Sequence, residues 1–367
     1  MARIIIITAH SSTLVRFRGN LIREWNDRGH EVVAVGPEVN YERELADYGA
    51  SYVCIPFNPT GTNPIRELGL FWEFIKLFRR QKPDIVFSYH IKPVLYASIA
   101  AKMTGVAEVY SMITGLGYAF MGESLKRKLL RGLVVLQYKY ALKRQTAVFF
   151  QNADDLALFK QLGINSNAVL VNGSGVDVDQ FRYSPSPNAS PVFLFMGRLL
   201  KDKGIHNFLE AAEIVKRKNS HVRFQILGAI DGNPAAIKKE DLDKWVDKGI
   251  VEYLGFADEV YPYLEKCSVF VLPSYREGVP RSTLEAMSVG RPIITTDAPG
   301  CRETVVEGYN GFLVPVNDSA RLAEAMERFV KEPQLMDEFG KNSRKIVEER
   351  FHVKKVNRVI LESMRLI

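Results

Sequence analysis

In the first half of the chain, apolar and polar positions fall into two alternating patterns. Short β-branched or aromatic runs read as buried strands: RIIIIT at 3–8, the VVAV of RGHEVVAVGP at 28–37, SYVCIPF at 51–57, DIVFSYH at 84–90, AEVYSMIT at 107–114 and AVFFQN at 147–152. Between the first two, Phe17, Leu21, Ile22 and Trp25 recur at helical spacing, and Gly29 stops that helix. Further helices are expected around 41–48 and 64–80. Strands alternating with helices of about 10–15 residues imply a parallel sheet covered on both faces.

The pattern then pauses and restarts. FRYSPSPNASP at 181–191 is rich in Pro, Ser and Asn and has no apolar period, which places a domain boundary near 173–191. Strands are expected again at 192–197, 222–228, 251–255, 269–274, 291–297 and 311–315. Helices are expected at 204–218, near 235–247, and at 258–266, 281–289 and 318–331, with a helical stretch over 334–367. The expected α/β organisation is a doubly wound domain over 1–172, a second over 173–350, and a terminal helix over 351–367 that packs back on the first. Open sheets of this kind bind ligands beyond the carboxyl ends of their strands. A ligand is therefore expected in a central cleft faced by both domains.

Composition adds a few bounds. A length of 367 residues with 47% hydrophobic and 25% charged positions fits an ordinary globular chain of two domains. The opening MARIIIITAH is too short an apolar run for a signal peptide and reads as the first strand. No uncharged apolar stretch reaches the roughly 18 residues needed to span a bilayer. Cys54, Cys267 and Cys301 lack metal-type spacing and are expected as reduced thiols. Net charge is +7, of which +6 lies between Tyr118 and Thr146: Lys126, Arg127, Lys128, Arg131, Lys139, Lys143 and Arg144 against Glu123.

Several strand ends carry candidate chemistry. MGRLLKDKG at 196–204 presents Arg198 and Lys203, two cations five residues apart beside a glycine, which suits a diphosphate. In YREGVPRSTLEA at 275–286 a turn leads into a helix with Pro280 near its start. The N–H groups of such a start, over Gly278, Val279, Pro280, Arg281, Ser282 and Thr283, attract phosphate. Glu285 is placed to accept from ribose hydroxyls and Glu277 from sugar hydroxyls. VNGSGVDVDQF at 171–181 contains Asp177 and Asp179, an isolated pair that is poor evidence for a metal. In the first half, AHSSTLVRFRGN at 9–20 offers Ser12, Thr13, Arg16 and Arg18; SYHIKP at 88–93 offers His90 and Lys92; TGLGYAF at 114–120 offers Gly115 and Gly117.

The spacing Glu277-x7-Glu285 within REGVPRSTLEAM resembles the E-x7-E signature of family 4 glycosyltransferases, retaining enzymes with the GT-B fold of two Rossmann-like domains. MGRLLKDKG, NGSGVDVDQF, YLGFADEVYPYLEKCSVFVLPS, GRPIITTDAPGCRETV and GYNGFLVPVND follow in the family's order, covering about 172–318. The first half is similar more loosely, through FRGNLIREWNDRGHEVVAV, SYHIKP and TGLGYAF, to the bacterial branch that elongates polyprenyl-diphosphate-linked saccharides with N-acetylhexosamines. The resemblance implies that Arg198 and Lys203 stabilise a leaving UDP diphosphate, Glu277 orients the donor sugar, Glu285 holds the ribose, and His90 lies near the sugar. It further implies backbone contacts to the donor around Gly300 and Cys301, acceptor contacts from Ser12, Thr13, Arg16, Arg18, Gly115 and Gly117, and no metal or other cofactor.

That branch gives the basic segment a purpose. In SLKRKLLRGLVVLQYKYALKRQ at 124–145, Leu, Val and Tyr interleave with basic residues, as in an interfacial helix attracted to anionic lipid. Lys126, Arg127, Lys128 and Arg131 are the expected membrane contacts, with a peripheral site on the cytoplasmic face of the plasma membrane. Nucleic acid is not expected, because no binding motif accompanies the patch. Two alternatives stand beside the transferase: a UDP-N-acetylglucosamine 2-epimerase of similar architecture, and a non-catalytic membrane-bound nucleotide-sugar-binding partner. The E-x7-E spacing and the Arg198/Lys203 pair argue against the epimerase.

Overall fold

The computed structural model describes residues 1–367 apart from 62, 118–119, 121–124, 144, 165, 188–190, 231–232 and 234, and apart from the side chains of 125–127. The chain forms two compact units, Met1–Ser174 with Asn357–Ile367, and Gly175–Val356.

The first unit holds β1 (Arg3–Ile7), β2 (Glu31–Gly36), β3 (Ala50–Cys54), β4 (Ile85–Tyr89), β5 (Glu108–Ile113), β6 (Ala147–Phe150) and β7 (Ala168–Leu170). They make one parallel sheet in the order β3-β2-β1-β4-β5-β6-β7. Ile4 to Ile7 of β1 are fully buried. A central parallel strand is covered on both faces, which is why RIIIIT is continuous rather than alternating. The connecting helices are α1 (Ser12–Asp27), α2 (Glu42–Ala46), α3 (Pro64–Gln81), α4 (Ser98–Met103), α5 (Leu125–Leu142) and α6 (Ala153–Gln161). The three-residue edge strand β7 and the short α4 and α6 are too brief for periodicity to announce.

The second unit holds β8 (Val192–Met196), β9 (Arg223–Leu227), β10 (Glu252–Tyr253), β11 (Val269–Leu272), β12 (Ile293–Thr296) and β13 (Gly311–Val314), in the order β10-β9-β8-β11-β12-β13. All pairs are again parallel. Its helices are α7 (Ile205–Lys218), α8 (Lys239–Asp247), α9 (Tyr261–Lys266), α10 (Arg281–Val289), α11 (Ser319–Lys331) and α12 (Gln334–Ile346). Both sheets therefore follow the 3-2-1-4-5-6 strand order of a Rossmann-like fold. The neighbouring β1 and β4, and β8 and β11, mark the points where strand order reverses.

Two segments differ from the pattern-based expectation. The Pro- and Ser-rich stretch, described up to residue 187 and again at 191, is tied to the second unit rather than loose. Arg291 donates to the carbonyls of Ser184 (2.8 Å) and Pro185, while Arg344 donates to those of Phe181 (3.0 Å) and Ser288 (2.8 Å). Nor is the 334–367 stretch one helix: a π-helical turn at Val347–Phe351 and an extended His352 separate α12 from α13 (Val353–Ser363). The cause is tertiary. The Val176 N–H donates to Phe351 O (2.8 Å) and the Val353 N–H to Val176 O (2.9 Å), so backbone pairing with 176 replaces a helical turn. From Asn357 onward α13 belongs to the first unit, where Asn357 Nδ2 donates to Glu24 Oε1 at 2.8 Å.

Cys267 and Cys301 are buried, and Cys54 is half-buried. Burial raises Cys267 from 9.0 to about 12, and burial followed by the charge of Glu277 raises Cys301 likewise. The folded thiols thus stay neutral where unfolded ones ionise. Stability should be unaffected by these groups below pH 9.0 and should fall as pH rises from 9.0 toward 12. In the native protein at pH 8, a thiol reagent should find Cys54 alone, and all three only after denaturation. Fast titration of Cys267 or Cys301 in the native state would contradict the packing described.

Candidate active site

Parallel pairing of β8 with β11 brings their carboxyl ends together and so places residues 197–204 beside residues 273–280. Arg198 follows β8 after Gly197 and is exposed. The chain then forms a short 3₁₀ turn, Lys201–Lys203, ended by Gly204 at φ +76°. A Cβ on Gly204 would lie 2.1 Å from Pro273 O, so only glycine lets this turn press against the end of β11. Asp202 O accepts from Tyr275 N–H (2.8 Å) and Ser274 Oγ (3.1 Å), lacing the two loops together.

That lacing sets the central contact. Lys203 Nζ donates to Glu277 Oε1, and Ser274 Oγ donates to the same oxygen at 2.7 Å. The Lys203 and Glu277 side chains are only 21% and 12% exposed, so the pair is partly shielded from solvent screening. A third segment supports Glu277 from behind: its N–H donates to Pro299 O (2.9 Å), and a Cβ on Gly300 (φ +77°) would lie 2.2 Å from Gly278 O and 2.3 Å from Glu277 O. Thr296 Oγ1 and Cys301 Sγ both donate to Ser274 O.

Helix α10 leaves this loop with Pro280 as its N-cap and no side chain closing its first turn. The first N–H groups of a helix have no intrahelical acceptor, and they carry the positive end of its dipole. Gly278, Val279, Pro280 and Thr283 are buried, with Val279 in the hydrophobic core, while Arg281 and Ser282 are half-buried. The side chains of Val279, Pro280 and Thr283 serve packing, so what this stretch can offer a ligand is the backbone N–H groups expected of it. Thr283 N–H is itself taken by Pro280 O (3.2 Å). Glu285 is not an exposed helix charge. Its carboxylate, 14% exposed, accepts from Arg281 Nε at 3.0 Å, and Arg281 Nη1 in turn donates to Gly175 O at 2.6 Å.

The first unit has its own cluster at the reversal point between β1 and β4. His90 follows β4 with φ +68°, a left-handed conformation that costs a non-glycine residue of order 1–3 kcal/mol. Its Nδ1 meets Thr8 Oγ1 (2.9 Å) and the Ala9 N–H (3.4 Å). An amide only donates, so Nδ1 accepts and the neutral ring carries its proton on Nε2. Thr13 Oγ1 donates to His10 O (2.6 Å) and meets Tyr89 OH at 2.9 Å. Burial raises the Tyr89 phenol, so it stays protonated beneath His90.

Other predicted residues are dispersed. Ser12 is half-buried in the first turn of α1 and Arg16 is exposed further along it. Gly115 and Gly117 follow β5 with φ of +117° and +61°, and 118–119 of the same loop lie outside the described residues. Arg18 is a correction. It is 1% exposed, with its guanidinium over the Tyr89 ring and Nη2 at 2.6 Å from Met112 Sδ, so it braces the core and does not line a surface. Lys92 donates to Glu67 Oε1 and to Asn58 O (2.7 Å), a structural tie. Lys128 is exposed and Arg131 half-buried on α5; Lys126 and Arg127 side chains, Arg144 and Glu123 lie outside the described residues. Among the described residues no group of three His, Cys, Asp or Glu could hold a metal ion, and no helix is long and apolar enough to cross a membrane.

Sequence reasoning missed Ser274 and Thr8, which contact Glu277 and His90, and Asp202 and Thr296, which hold Ser274. The only signal was position: Ser274, Thr296 and Thr8 lie at or just beyond a strand's carboxyl end, and Asp202 in the loop that follows one.

Two Rossmann-like units, one with cations, a helix start and two carboxylates gathered at its reversal point, match what a glycosyltransferase of the GT-B class requires. Comparison with known proteins agrees. The model for glycosyl transferases group 1 matches residues 178–346, and that for glycosyl transferase 4-like domains matches residues 3–152. The chain is 30% identical over 340 residues to a UDP-Gal:α-D-GlcNAc-diphosphoundecaprenol α-1,3-galactosyltransferase of Escherichia coli, covering 86% of this chain and 84% of that one. It is 27% identical over 355 residues to an N,N′-diacetylbacillosaminyl-diphospho-undecaprenol α-1,3-N-acetylgalactosaminyltransferase of Campylobacter jejuni, covering 93% of each. The fold is shared with Anabaena HepE, solved in complex with UDP and glucose (TM-score 0.80, 18% identity, 100% of both chains). The chain belongs to the group 1, family 4-like glycosyltransferases.

Because only glycine permits the Lys203 turn, Gly204→Ala should lower transfer by about 10²-fold and also lower the melting temperature by several degrees, as the strained turn is forced away from Pro273 O. Near-normal turnover in a kinetic assay would show that the turn does not set the position of Lys203.

Proposed function

We propose that the protein transfers a sugar, best an N-acetylhexosamine such as N-acetylgalactosamine, from a UDP-sugar to a polyprenyl-diphosphate-linked saccharide with retention of configuration. The observation that carries the donor half is the Lys203–Glu277 contact beside the α10 start, with Glu285 one turn further on. The acceptor half is supported by the two relatives, whose names specify diphosphoundecaprenol-linked acceptors.

Transfer breaks the bond between the anomeric carbon and the diphosphate oxygen and forms one to an acceptor hydroxyl, whose proton is lost. Negative charge accumulates on the departing diphosphate, and preorganised donors aimed at it are the largest available catalytic term. Arg198, Lys203 and the first N–H groups of α10 supply them in this reading. Before donor arrives, Lys203 and Glu277 satisfy each other. A bound diphosphate draws Lys203 toward itself, and Glu277, held by Ser274, turns its acceptor capacity to sugar hydroxyls. Glu285, oriented by Arg281, takes the ribose. From the first unit we assign His90 a hydrogen bond to the donor sugar, and Ser12, Thr13, Arg16 and the 114–117 loop contacts to the acceptor. No metal is needed for this charge compensation.

The lipid-linked acceptor places the work at an anionic membrane, on its cytoplasmic face, with α5 as the contact. Val134 and Tyr138, one turn apart on that helix, are buried, whereas Lys128, Lys139 and Lys143 are exposed.

UDP release should depend on a lipid-diphosphate saccharide and persist in excess chelator; absence of acceptor-dependent release across a panel of UDP-sugars would sink the proposal. Glu277→Gln and Lys203→Ala should each lower turnover on the order of 10²–10³-fold without unfolding the protein. The product's anomeric coupling constant by NMR should match that of the donor, and an inverted product would refute retention.

A further inference from the structure

The first unit exposes two apolar stripes on helices of one layer. On α5, Leu129, Leu133, Leu136 and Tyr140 are 70, 55, 65 and 64% exposed, at the i, i+4, i+7, i+11 spacing of a single face. On α3, Ile65, Leu68 and Trp72 are 82, 58 and 48% exposed, at i, i+3, i+7. Soluble surfaces carry scattered apolar side chains, but seven large ones in two rows on neighbouring helices mark an interaction site. The helices are linked: α3 packs on α4 and α4 on α5. The π-helical turn at Pro93–Ala97, which carries Tyr96, packs against both α3 and α5.

The α3 stripe ends abruptly. Its exposed residues are Pro64, Ile65, Arg66, Leu68, Gly69 and Trp72 in the first half, with Arg66 the one charge among them, then Glu73, Lys76, Arg79 and Arg80. In parallel β-α-β units a helix begins at the carboxyl ends of the strands, and Lys92, just after β4, confirms this by donating to Glu67 in the first turns of α3. The apolar half of α3 therefore lies at the strand-end side that carries His90, as does the start of α5. Exposed Lys128, Lys139 and Lys143 border the α5 stripe. Apolar rows bordered by cations and containing a half-exposed Trp fit the headgroup layer of an anionic bilayer, where an indole is stabilised with one edge wet.

We propose that the amino-terminal half of α3 is a second membrane contact, with Trp72, Ile65 and Leu68 entering the headgroup layer of anionic lipid beside α5. This rests on the membrane-linked acceptor of the proposed function, but it is tested without any sugar. Of the three tryptophans, Trp25 is fully buried and Trp245 partly packed in the second unit's core, so Trp72 reports on α3. With vesicles of phosphatidylglycerol and phosphatidylethanolamine, emission should shift to the blue and be quenched by bromine-labelled acyl chains. Trp72→Phe should abolish that response. Ile65→Ser/Leu68→Ser/Trp72→Ser together should weaken vesicle partitioning on the order of 10²-fold, with unchanged melting temperature and unchanged turnover on a short-chain, water-soluble acceptor. Unaltered emission, or equal partitioning of the triple variant, overturns the α3 contact. If Lys128→Gln/Lys139→Gln still weakens partitioning in that case, the α5 contact and the proposed function stand alone. A concentration-dependent dimer in sedimentation whose Trp72 emission is already blue-shifted without lipid would instead assign the face to a second copy.

Discussion

The parallel pairing of β8 with β11 is the constraint on which the candidate site depends. Ladder hydrogen bonds fix these strands side by side, so whatever follows each must leave from the same edge. Residues 197–204 and 273–280 are then close enough for Asp202 O to accept from both Ser274 and Tyr275. Two closely packed glycines, Gly204 against Pro273 O and Gly300 against the 277–278 carbonyls, remove the side chains that would hold these segments apart. The same logic operates between β1 and β4, where Thr8 and His90 meet across 82 residues of sequence.

Charge at the site is balanced locally. Lys203 pairs with Glu277 and Arg281 with Glu285, all at low exposure, while Arg198 stands out in solvent. Removing one partner of such a pair leaves an uncompensated, half-desolvated charge, which is costly. A diphosphate is a ligand able to exchange partners with Lys203 while sugar and ribose hydroxyls take up the carboxylates. The neutral state of Cys301, held up to about 12 by burial and by Glu277, belongs to the same environment: a second negative charge there is disfavoured.

Much of the fold was legible because its cause is local. Buried parallel strands demand continuous apolar runs, as in RIIIIT, and α10 was bounded at 281–289 by Pro280 and Gly290. Features that misled were those decided elsewhere in the chain. The Pro-rich 181–187 stretch has no internal reason to be ordered, yet Arg291 and Arg344 bind its carbonyls. The terminal helix breaks at His352 because residue 176 pairs with its backbone. Arg18, polar and near a strand end, is drawn into the core by Tyr89 and Met112.

By itself the sequence determined the two α/β halves, the strand ends that carry polar residues, and the Glu277–Glu285 spacing, since each depends on periodicity, turn chemistry or a motif within a short window. Tertiary structure alone decided that Lys203 reaches Glu277 across 74 residues, that Ser274 and Gly300 brace that carboxylate, and that Arg281 orients Glu285. It also decided which apolar residues of α3 and α5 stay outside. The physical reason is that strand order, not strand content, sets which loops become neighbours, and strand order is fixed only when the whole sheet forms.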